Sequence, residues 1–492
     1  VTAKSAIHFG TDGWRGVIAR EFTFENVARV GVALAQFLSS PERRALAVYH
    51  RWKVEYRDAL RGVVIGYDTR FLSREFAIYL GRTRQDQQSP VLISPEPLPT
   101  PALSYAVQQH RTAIGVMITA SHNPPEYNGI KVKLEYGGPA PPQATQIVEK
   151  FLPDQAPPPR TPEHELNFLD LRTSYLERVR QLIEIKLLKD APLFVVADAM
   201  YGSARGYLPM LLAELKIPHA TVRGGDNPRF GGKNPEPIEK NLGPLRAVIA
   251  SEKRKRRSRE ILLGVVADGD GDRVAAMDEH GRVLDAHRCF ALILKHLLDK
   301  RWTGKVVKSF TLSDMVDHLC VQHKIELDEV PVGFKFICEK MIREDVLMGG
   351  EESGGFGIKN HIPERDSVLM SLLLLEVVAQ AGKPLSQIVE DLMSEVGPHY
   401  YDRRDLPLES RLEIVERVRR QPPKQIAGLP VRKIELLDGM KLRFPHGWLL
   451  LRASGTEPVL RLYCEMDSAE KVKVILDEAE RFARGEMELW GQ

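Results

Sequence analysis

An α/β chain is predicted, with three related α/β domains built on mixed, mostly parallel sheets and a smaller C-terminal α+β domain. Three observations predict it. Short, nearly unbroken apolar runs, Val63-Val64-Ile65-Gly66-Tyr67-Asp68, Phe194-Val195-Val196-Ala197-Asp198 and Val306-Val307-Lys308-Ser309, each lead into a polar loop and an amphipathic stretch, as strands buried on both faces do. These runs recur at domain-sized offsets of roughly 110 to 130 residues. The last part of the chain changes character: residues 441–444 and 448–451 flank Pro445-His446-Gly447 as a hairpin, and 459–465 alternate in polarity. There Ser468 can cap a closing helix with Val472, Ile475, Leu476, Ala479 and Phe482 on one face. Domains are expected at 1–165, 166–290, 291–398 and 399–492, with joints in the proline-rich segment 139–162 and in 397–407.

Taken in order, a polar loop at 10–16 carries Arg15 and precedes a helix that Thr23 can cap, with Val27, Val30, Leu34, Phe37 and Leu38 at helical spacing. Residues 39–62, with Pro41 and a cluster of charge, read as an exposed, helical excursion before the first strand. A run at 113–118 then reads as a buried strand that ends at Thr119-Ala120-Ser121.

At 492 residues and 43% hydrophobic content, the chain has room for several cores. Its net charge of +3 is too balanced to steer it to nucleic acid or a membrane surface. The basic run 253–259 lacks interleaved aromatics and is flanked by Glu252 and Glu260, which suits a solvated helix end. Cys289, Cys320, Cys338 and Cys464 form no Cys-x-x-Cys pair, against both a zinc cage and a disulfide framework. The sequence runs into Gly10-Thr11-Asp12-Gly13 without a charged and then apolar leader, and Glu376 breaks the apolar run 368–381. A cytoplasmic protein is expected.

Four loops carry chemistry. In Thr119-Ala120-Ser121-His122-Asn123-Pro124-Pro125, the prolines forbid a helix after the strand, so Ser121 is held on a rigid turn beside His122, with Lys131 ten positions on. That arrangement suits an exposed nucleophile, although a capped turn favours the same residues. Asp268-Gly269-Asp270-Gly271-Asp272-Arg273 ends another buried run with carboxylates at every second position. Three carboxylates so close repel unless a hard cation neutralises them, and Mg2+ is the expectation. An EF-hand is excluded because its sixth-position glycine would be Arg273.

The third loop, Gly349-Gly350-Glu351-Glu352-Ser353-Gly354-Gly355, preceded by Gly333-Phe334-Lys335, exposes carboxylates that suit sugar hydroxyls better than phosphate. The fourth, Arg452-Ala453-Ser454-Gly455-Thr456-Glu457-Pro458 with Arg461, offers guanidinium forks, hydroxyls and backbone N–H groups that match a phosphate.

In this order the loops, together with Gly10-Thr11-Asp12-Gly13-Trp14-Arg15-Gly16, resemble the α-D-phosphohexomutases over nearly the whole chain. The resemblance implies four domains around a central cleft, each giving one loop. It implies that Ser121 carries a phosphoryl group and, with Asp268, Asp270 and Asp272, holds Mg2+. Arg273 and Lys335 would stabilise the transferring oxygens, and Lys131 or His122 would move the hydroxyl proton. Arg15, Glu351, Ser353, Arg452, Ser454, Gly455, Thr456 and Arg461 would bind the substrate. The implied reaction interconverts hexose 1-phosphate and hexose 6-phosphate through a hexose 1,6-bisphosphate, needed in catalytic trace as activator. The partners would be small hexose phosphates, the state monomer or homodimer.

Two rivals differ in class. A Mg-dependent sugar phosphatase would use the acidic loop without a second phosphate site, and a non-catalytic sugar-phosphate binding protein would need no serine turn. Within the family, mannose-type members resemble one another in having His where Phe334 and Gly355 stand here, and glucosamine-type members in reading Glu-Gln-Ser at 351–353. The chain is therefore most similar to the phosphoglucomutase branch, with phosphomannomutase and phosphoglucosamine mutase as alternatives of the same mechanism.

Overall fold

The computed structural model describes residues 7–10, 12–255, 260–455, 458–487 and 490. The chain forms two compact units. One takes everything up to Lys305 together with Gly333–Ile388, the other Val306–Val332 with Val389–Gln492.

In the first unit, a six-stranded sheet runs in the order Trp14–Val17, Tyr127–Lys133, Ile114–Ile118, Val63–Tyr67, Val91–Ile93, Asn167–Phe168. The last four are mutually parallel, while Tyr127–Lys133 and Trp14–Val17 join antiparallel. Every residue of Val63–Tyr67 and Ile114–Ile118 is buried, because helices cover both faces. Such strands need no alternation, hence the continuous apolar runs. Helix Phe24–Ser39 begins where expected, with Thr23 accepting the Asn26 N–H.

A five-stranded sheet follows, ordered Val283–Leu284, Val274–Met277, Ile261–Ala267, Leu193–Asp198, His219–Val222. Its hairpin between Ile261–Ala267 and Val274–Met277 is the acidic loop. A second hairpin, Val346–Gly350 with Phe356–Ile358, carries the Glu-Glu-Ser turn. Helix Ser367–Ala381 is buried along nearly its whole length, which explains an apolar run without a polar face.

In the second unit, residues 306–309 pair in parallel with Leu327–Val330. An antiparallel sheet runs Tyr400–Pro407, Val459–Met466, Gly447–Ala453, Met440–Phe444, Lys433–Glu435. Helix Ala469–Ala483, capped by Ser468, packs Val472, Ile475, Leu476, Ala479 and Phe482 into its core.

Three local expectations change. Segment 39–62 is not simply exposed: it forms helices Pro41–Arg44 and Ala47–His50, and the first buries Arg43, which donates to Glu135 (2.5 Å) and to the Arg57 carbonyl (2.7 Å). Tyr49 donates to the same carboxylate at 2.9 Å. A charged residue reads as solvated until a partner over ninety positions away neutralises it. The joint at 397–407 is mostly strand, since Tyr400–Pro407 pairs at all eight positions with Val459–Met466. It is a polar edge strand and so shows no apolar pattern. Part of the proline-rich segment 139–162 is helix, Pro142–Lys150.

The four cysteines are free and buried. Among the described residues no single helix is long and apolar enough to cross a membrane. Of the basic run, 253–255 end helix Gly243–Lys255 and 256–259 lie outside the described residues.

Candidate active site

The serine turn is held from beneath by one guanidinium. Ser121 takes a left-handed conformation (φ 52°), a conformation that costs about 1–3 kcal/mol and persists only where its surroundings fix it. Its N–H donates to Thr119 Oγ1 (2.8 Å), and that hydroxyl donates to Asp68 (2.6 Å). Asp68 pairs with Arg70, which donates to the carbonyls of Ser121 (2.6 Å), Asn123 (2.7 Å), Pro124 (2.7 Å) and Tyr127 (3.0 Å). Arg70 thus satisfies carbonyls that a proline-stiffened turn cannot pair internally.

Contrary to the exposed nucleophile expected, Ser121 is 1% accessible. The acidic loop lies against it so closely that a Cβ at Gly269 would stand 2.5 Å from the Ser121 carbonyl.

Asp268, Asp270 and Asp272 are fully buried, with one oxygen from each within 4.8 Å of the others. Asp268 Oδ1 accepts the N–H of Asp272 (2.9 Å) and Arg273 (3.1 Å), and its Oδ2 accepts from Ser121 Oγ at 3.2 Å. Asp270 Oδ2 accepts from Thr100 Oγ1 (2.6 Å) and Lys131 (2.8 Å). The other oxygens, Asp270 Oδ1 and Asp272 Oδ1, are buried without a hydrogen-bond donor among the described residues. Two orphaned carboxylate oxygens in an all-oxygen cluster fit a hard divalent cation such as Mg2+. Burial first, and then the charges of Asp272 and Asp270, push the Asp268 carboxyl well above its ordinary value.

Cations brace the cluster. Lys131, 1% accessible, reaches Asp12 (2.8 Å), Asp270 (2.8 Å) and Asp272 (3.0 Å). Burial opposes its charge, but these carboxylates win and raise its pKa above the usual lysine range. Arg365 binds Asp12 and Asp272, each at 2.7 Å, and lies over the Phe334 ring at 5.5 Å. Arg15 donates to Asn123 Oδ1 (2.6 Å). Arg273 Nε, buried without a hydrogen-bond partner, is 3.9 Å from Asp272.

His122 Nδ1 lies 3.4 Å from Ser121 Oγ. Burial first, then the charges of Arg273, Arg15, Lys131 and Arg70, hold it well below the usual histidine value, so it stays neutral. Lys131 is a firm ammonium and His122 a free base, a difference that residue type alone does not reveal.

In the Glu-Glu-Ser turn, Glu351 is buried and its Oε1 accepts the Gly333 N–H at 2.9 Å. Burial pushes its carboxyl up to about 7. Ser353 and Lys335 are half-buried, with Lys335 over the Phe336 ring. A Cβ at Gly355 would stand 2.3 Å from Arg365 Cδ. Phe334 and Gly355 therefore both abut Arg365.

In the second unit, Arg452 and Arg461 are register partners on strands Gly447–Ala453 and Val459–Met466. Arg452 Nε donates to Asp438 (2.9 Å), and Arg461 Nε is 3.9 Å from Asp405. Ser454 is buried, and its carbonyl accepts from Arg411 at 3.0 Å. Gly455 is exposed, and among the described residues nothing lies within 4 Å of where a Cβ would stand. Thr456 lies outside the described residues.

Sequence reading missed Arg70, Asp12, Thr100, Arg365 and Asp438. Asp12 sits inside a quoted motif, so its acidity was a usable signal. The others act through partners distant in the chain or, for Arg70, through a loop some fifty positions away.

A serine fixed against an all-oxygen acidic cluster, ringed by cations on α/β scaffolds, is the equipment of a metal-assisted phosphoryl-transfer enzyme. Comparison with known proteins specifies the class. Residues 6–156, 173–281, 285–396 and 415–481 match in turn phosphoglucomutase/phosphomannomutase alpha/beta/alpha domains I, II and III and the C-terminal domain. The phosphoglucomutase/phosphomannomutase of Thermococcus kodakarensis is 30% identical over 95% of this chain and 96% of its own. The phosphoglucosamine mutase of Methanococcus maripaludis strain C5 is 29% identical over 76% and 82%. A solved structure from Thermus thermophilus, provisionally named a phosphomannomutase, superposes with a TM-score of 0.85 at 35% identity, covering 98% of this chain and all of that one.

The chain belongs to the phosphoglucomutase/phosphomannomutase family of α-D-phosphohexomutases. It is an isomerase that works by intramolecular phosphoryl transfer, and its family is Mg-dependent.

Proposed function

We propose that the protein interconverts hexose 1-phosphate and hexose 6-phosphate through a phosphorylated Ser121 and a hexose 1,6-bisphosphate, which also serves in trace as activator. The observation that carries the reading is Ser121 Oγ at 3.2 Å from Asp268, beside two carboxylate oxygens that lack donors. Asp268, Asp270, Asp272 and the phosphorylated Ser121 would hold Mg2+, which when bound neutralises charge on the transferring group.

In the forward step, the P–O bond to Ser121 Oγ breaks and one to the sugar's free hydroxyl forms. The hydroxyl proton passes to His122, neutral and 3.4 Å from Oγ, and returns to Oγ as the serine leaves. After the bisphosphate turns around, the same steps run in reverse on the other phosphate. Lys131, already protonated, orients Asp270 and Asp272 instead of taking a proton. Arg273 and Lys335 would bring positive charge to the transferring oxygens, and Arg15 would bind the substrate. Glu351 and Ser353 accept from the sugar hydroxyls, and Arg452, Ser454, Gly455, Thr456 and Arg461 bind the phosphate not in reaction.

Incubation with glucose 1-phosphate, Mg2+ and a trace of the 1,6-bisphosphate tests the reaction. Glucose 6-phosphate is expected. Free phosphate would indicate a phosphatase, and no change a binding protein.

Glucose is proposed as the preferred sugar because Phe334 and Gly355 pack on one side chain, Arg365, which leaves no room for a larger residue at 355. A second reading has support in relatives named for mannose and glucosamine phosphates. One misplaced 2-hydroxyl is worth about 1–3 kcal/mol, roughly fivefold to a hundred-and-fiftyfold. The expected order of kcat/KM is glucose, then mannose, then glucosamine 1-phosphate. A clear preference for either of the latter two would reassign the sugar and leave the mutase reaction standing.

The Glu351 carboxyl near 7 gives a pH signature. Raised above its ordinary value, it keeps its proton up to neutrality, so the hydroxyl-accepting carboxylate grows as pH rises. We expect kcat/KM to fall about tenfold per unit below about pH 6, and Glu351→Gln to flatten that limb while lowering the plateau. By linkage, the same group withdraws stability from the free protein as pH climbs from its unfolded value of about 4.5 toward 7. An acid limb unchanged in the Gln variant would remove Glu351 from sugar recognition.

A further inference from the structure

We propose that Asp438 is a positioning residue for phosphate recognition, holding Arg452 by its Nε so that the Nη1–Nη2 edge of the guanidinium meets the substrate's non-reacting phosphate. The inference rests on the reading of the Arg452 loop as the phosphate site. Asp438 Oδ2 accepts from Arg452 Nε and from the backbone N–H of Val332, both at 2.9 Å. A carboxylate already tied to a backbone amide is a fixed acceptor, so it fixes the last torsions of the arginine it binds. A guanidinium is planar with donors on three edges. Engaging one at Nε fixes the plane of the group, and the fork of the two terminal nitrogens is the edge that can bind phosphate with two parallel hydrogen bonds.

The backbone is built to bring the two residues together. Gly439, next to Asp438, has φ of +93°, and a Cβ there would lie 2.4 Å from the Leu451 carbonyl and 3.1 Å from Arg452 Cα. Only glycine lets the turn press against the strand that carries Arg452, and that contact delivers the neighbouring carboxylate to the arginine. Both side chains are largely covered, at 16% accessibility for Arg452 and 23% for Asp438. Asp438 itself makes no contact with substrate in this account and acts only through Arg452.

The test is steady-state kinetics with glucose 1-phosphate at saturating 1,6-bisphosphate and Mg2+, on Asp438→Ala, Asp438→Asn, Arg452→Ala and the double alanine variant. Asp438→Ala is expected to raise KM about tenfold with kcat within about twofold of wild type. Asp438→Asn keeps a carbonyl oxygen for the same two donors and should return KM to within about threefold of wild type. The double variant should match Arg452→Ala alone, because a positioning residue has nothing left to position. Should Asp438→Ala fail to fold, Asp438→Ser, too short to hold Arg452 Nε, replaces it in the same comparison: KM raised toward the Arg452→Ala value supports the proposal, and KM at wild type overturns it.

A KM at or below wild type in Asp438→Ala, with KM raised in Arg452→Ala, would show that the carboxylate competes with phosphate or is idle, and overturns the proposal. An Asn variant no better than the alanine one does the same. If Arg452→Ala keeps the wild-type KM, the phosphate-loop reading itself fails first and takes the proposal with it.

Discussion

Replacing Ser121 with alanine is expected to lower mutase turnover by about three orders of magnitude or more, since it removes the hydroxyl proposed to carry the phosphoryl group. The fold should survive. The variant loses the Ser121 Oγ contacts to Asp268 at 3.2 Å and to His122 at 3.4 Å, and keeps the left-handed backbone that Arg70 and Thr119 enforce. The net worth of such a bond is about 1 kcal/mol. Thermal unfolding close to wild type with activity gone would separate chemistry from folding. Peptide mapping of the purified wild type should find a fraction one phosphoryl group heavier at Ser121. Phosphate found only at other residues would move the nucleophile elsewhere.

The difference between predicted and observed exposure of that serine shows what a sequence conveys. Strands such as Val63–Tyr67 and Leu193–Asp198 were legible because burial on both faces writes itself as an unbroken apolar run. The acidic loop was legible because its spacing is local, with carboxylates two apart at the end of a strand. The burial of Ser121 was not, since it depends on Gly269, nearly 150 positions away, packing against the Ser121 carbonyl.

Charge partners are the least legible feature. Arg43, Arg70 and Arg365 read as surface residues by type, and each is buried by carboxylates or carbonyls that tertiary folding brings to it. The proposal of His122 over Lys131 as proton carrier rests on such partners. Lys131 meets three carboxylates and stays charged, while His122 faces four cations and stays neutral. Strand Tyr400–Pro407 was missed for a related reason. An edge strand with one neighbour is held by backbone pairing, which leaves little trace in side-chain polarity.

The acidic cluster provides the second large effect, through Asp270→Asn. Asp270 Oδ2 accepts from Lys131 and Thr100, and Oδ1 is the buried oxygen without a donor. An asparagine amide has one oxygen for these two duties. With its NH2 toward Lys131, it sets a donor against an ammonium. With its NH2 the other way, it points a donor at the place a cation would occupy. The first orientation leaves Lys131 and Thr100 without their acceptor, the second removes an oxygen ligand, and in both the site loses one negative charge, the quantity that sets affinity for a hard cation. The Mg2+ concentration at half-maximal activity should rise at least about tenfold, with turnover reduced even at saturation. A readout independent of activity follows from linkage: a ligand that binds only the folded state raises the thermal midpoint in proportion to its occupancy. Millimolar Mg2+ should stabilise the wild type against heat and stabilise Asp270→Asn much less. The variant should also relieve Asp268, because one of the two carboxylates raising its pKa becomes neutral. If the Mg2+ titration and the Mg2+-dependent rise in thermal midpoint both stayed at wild-type values, the three aspartates would not be the metal site.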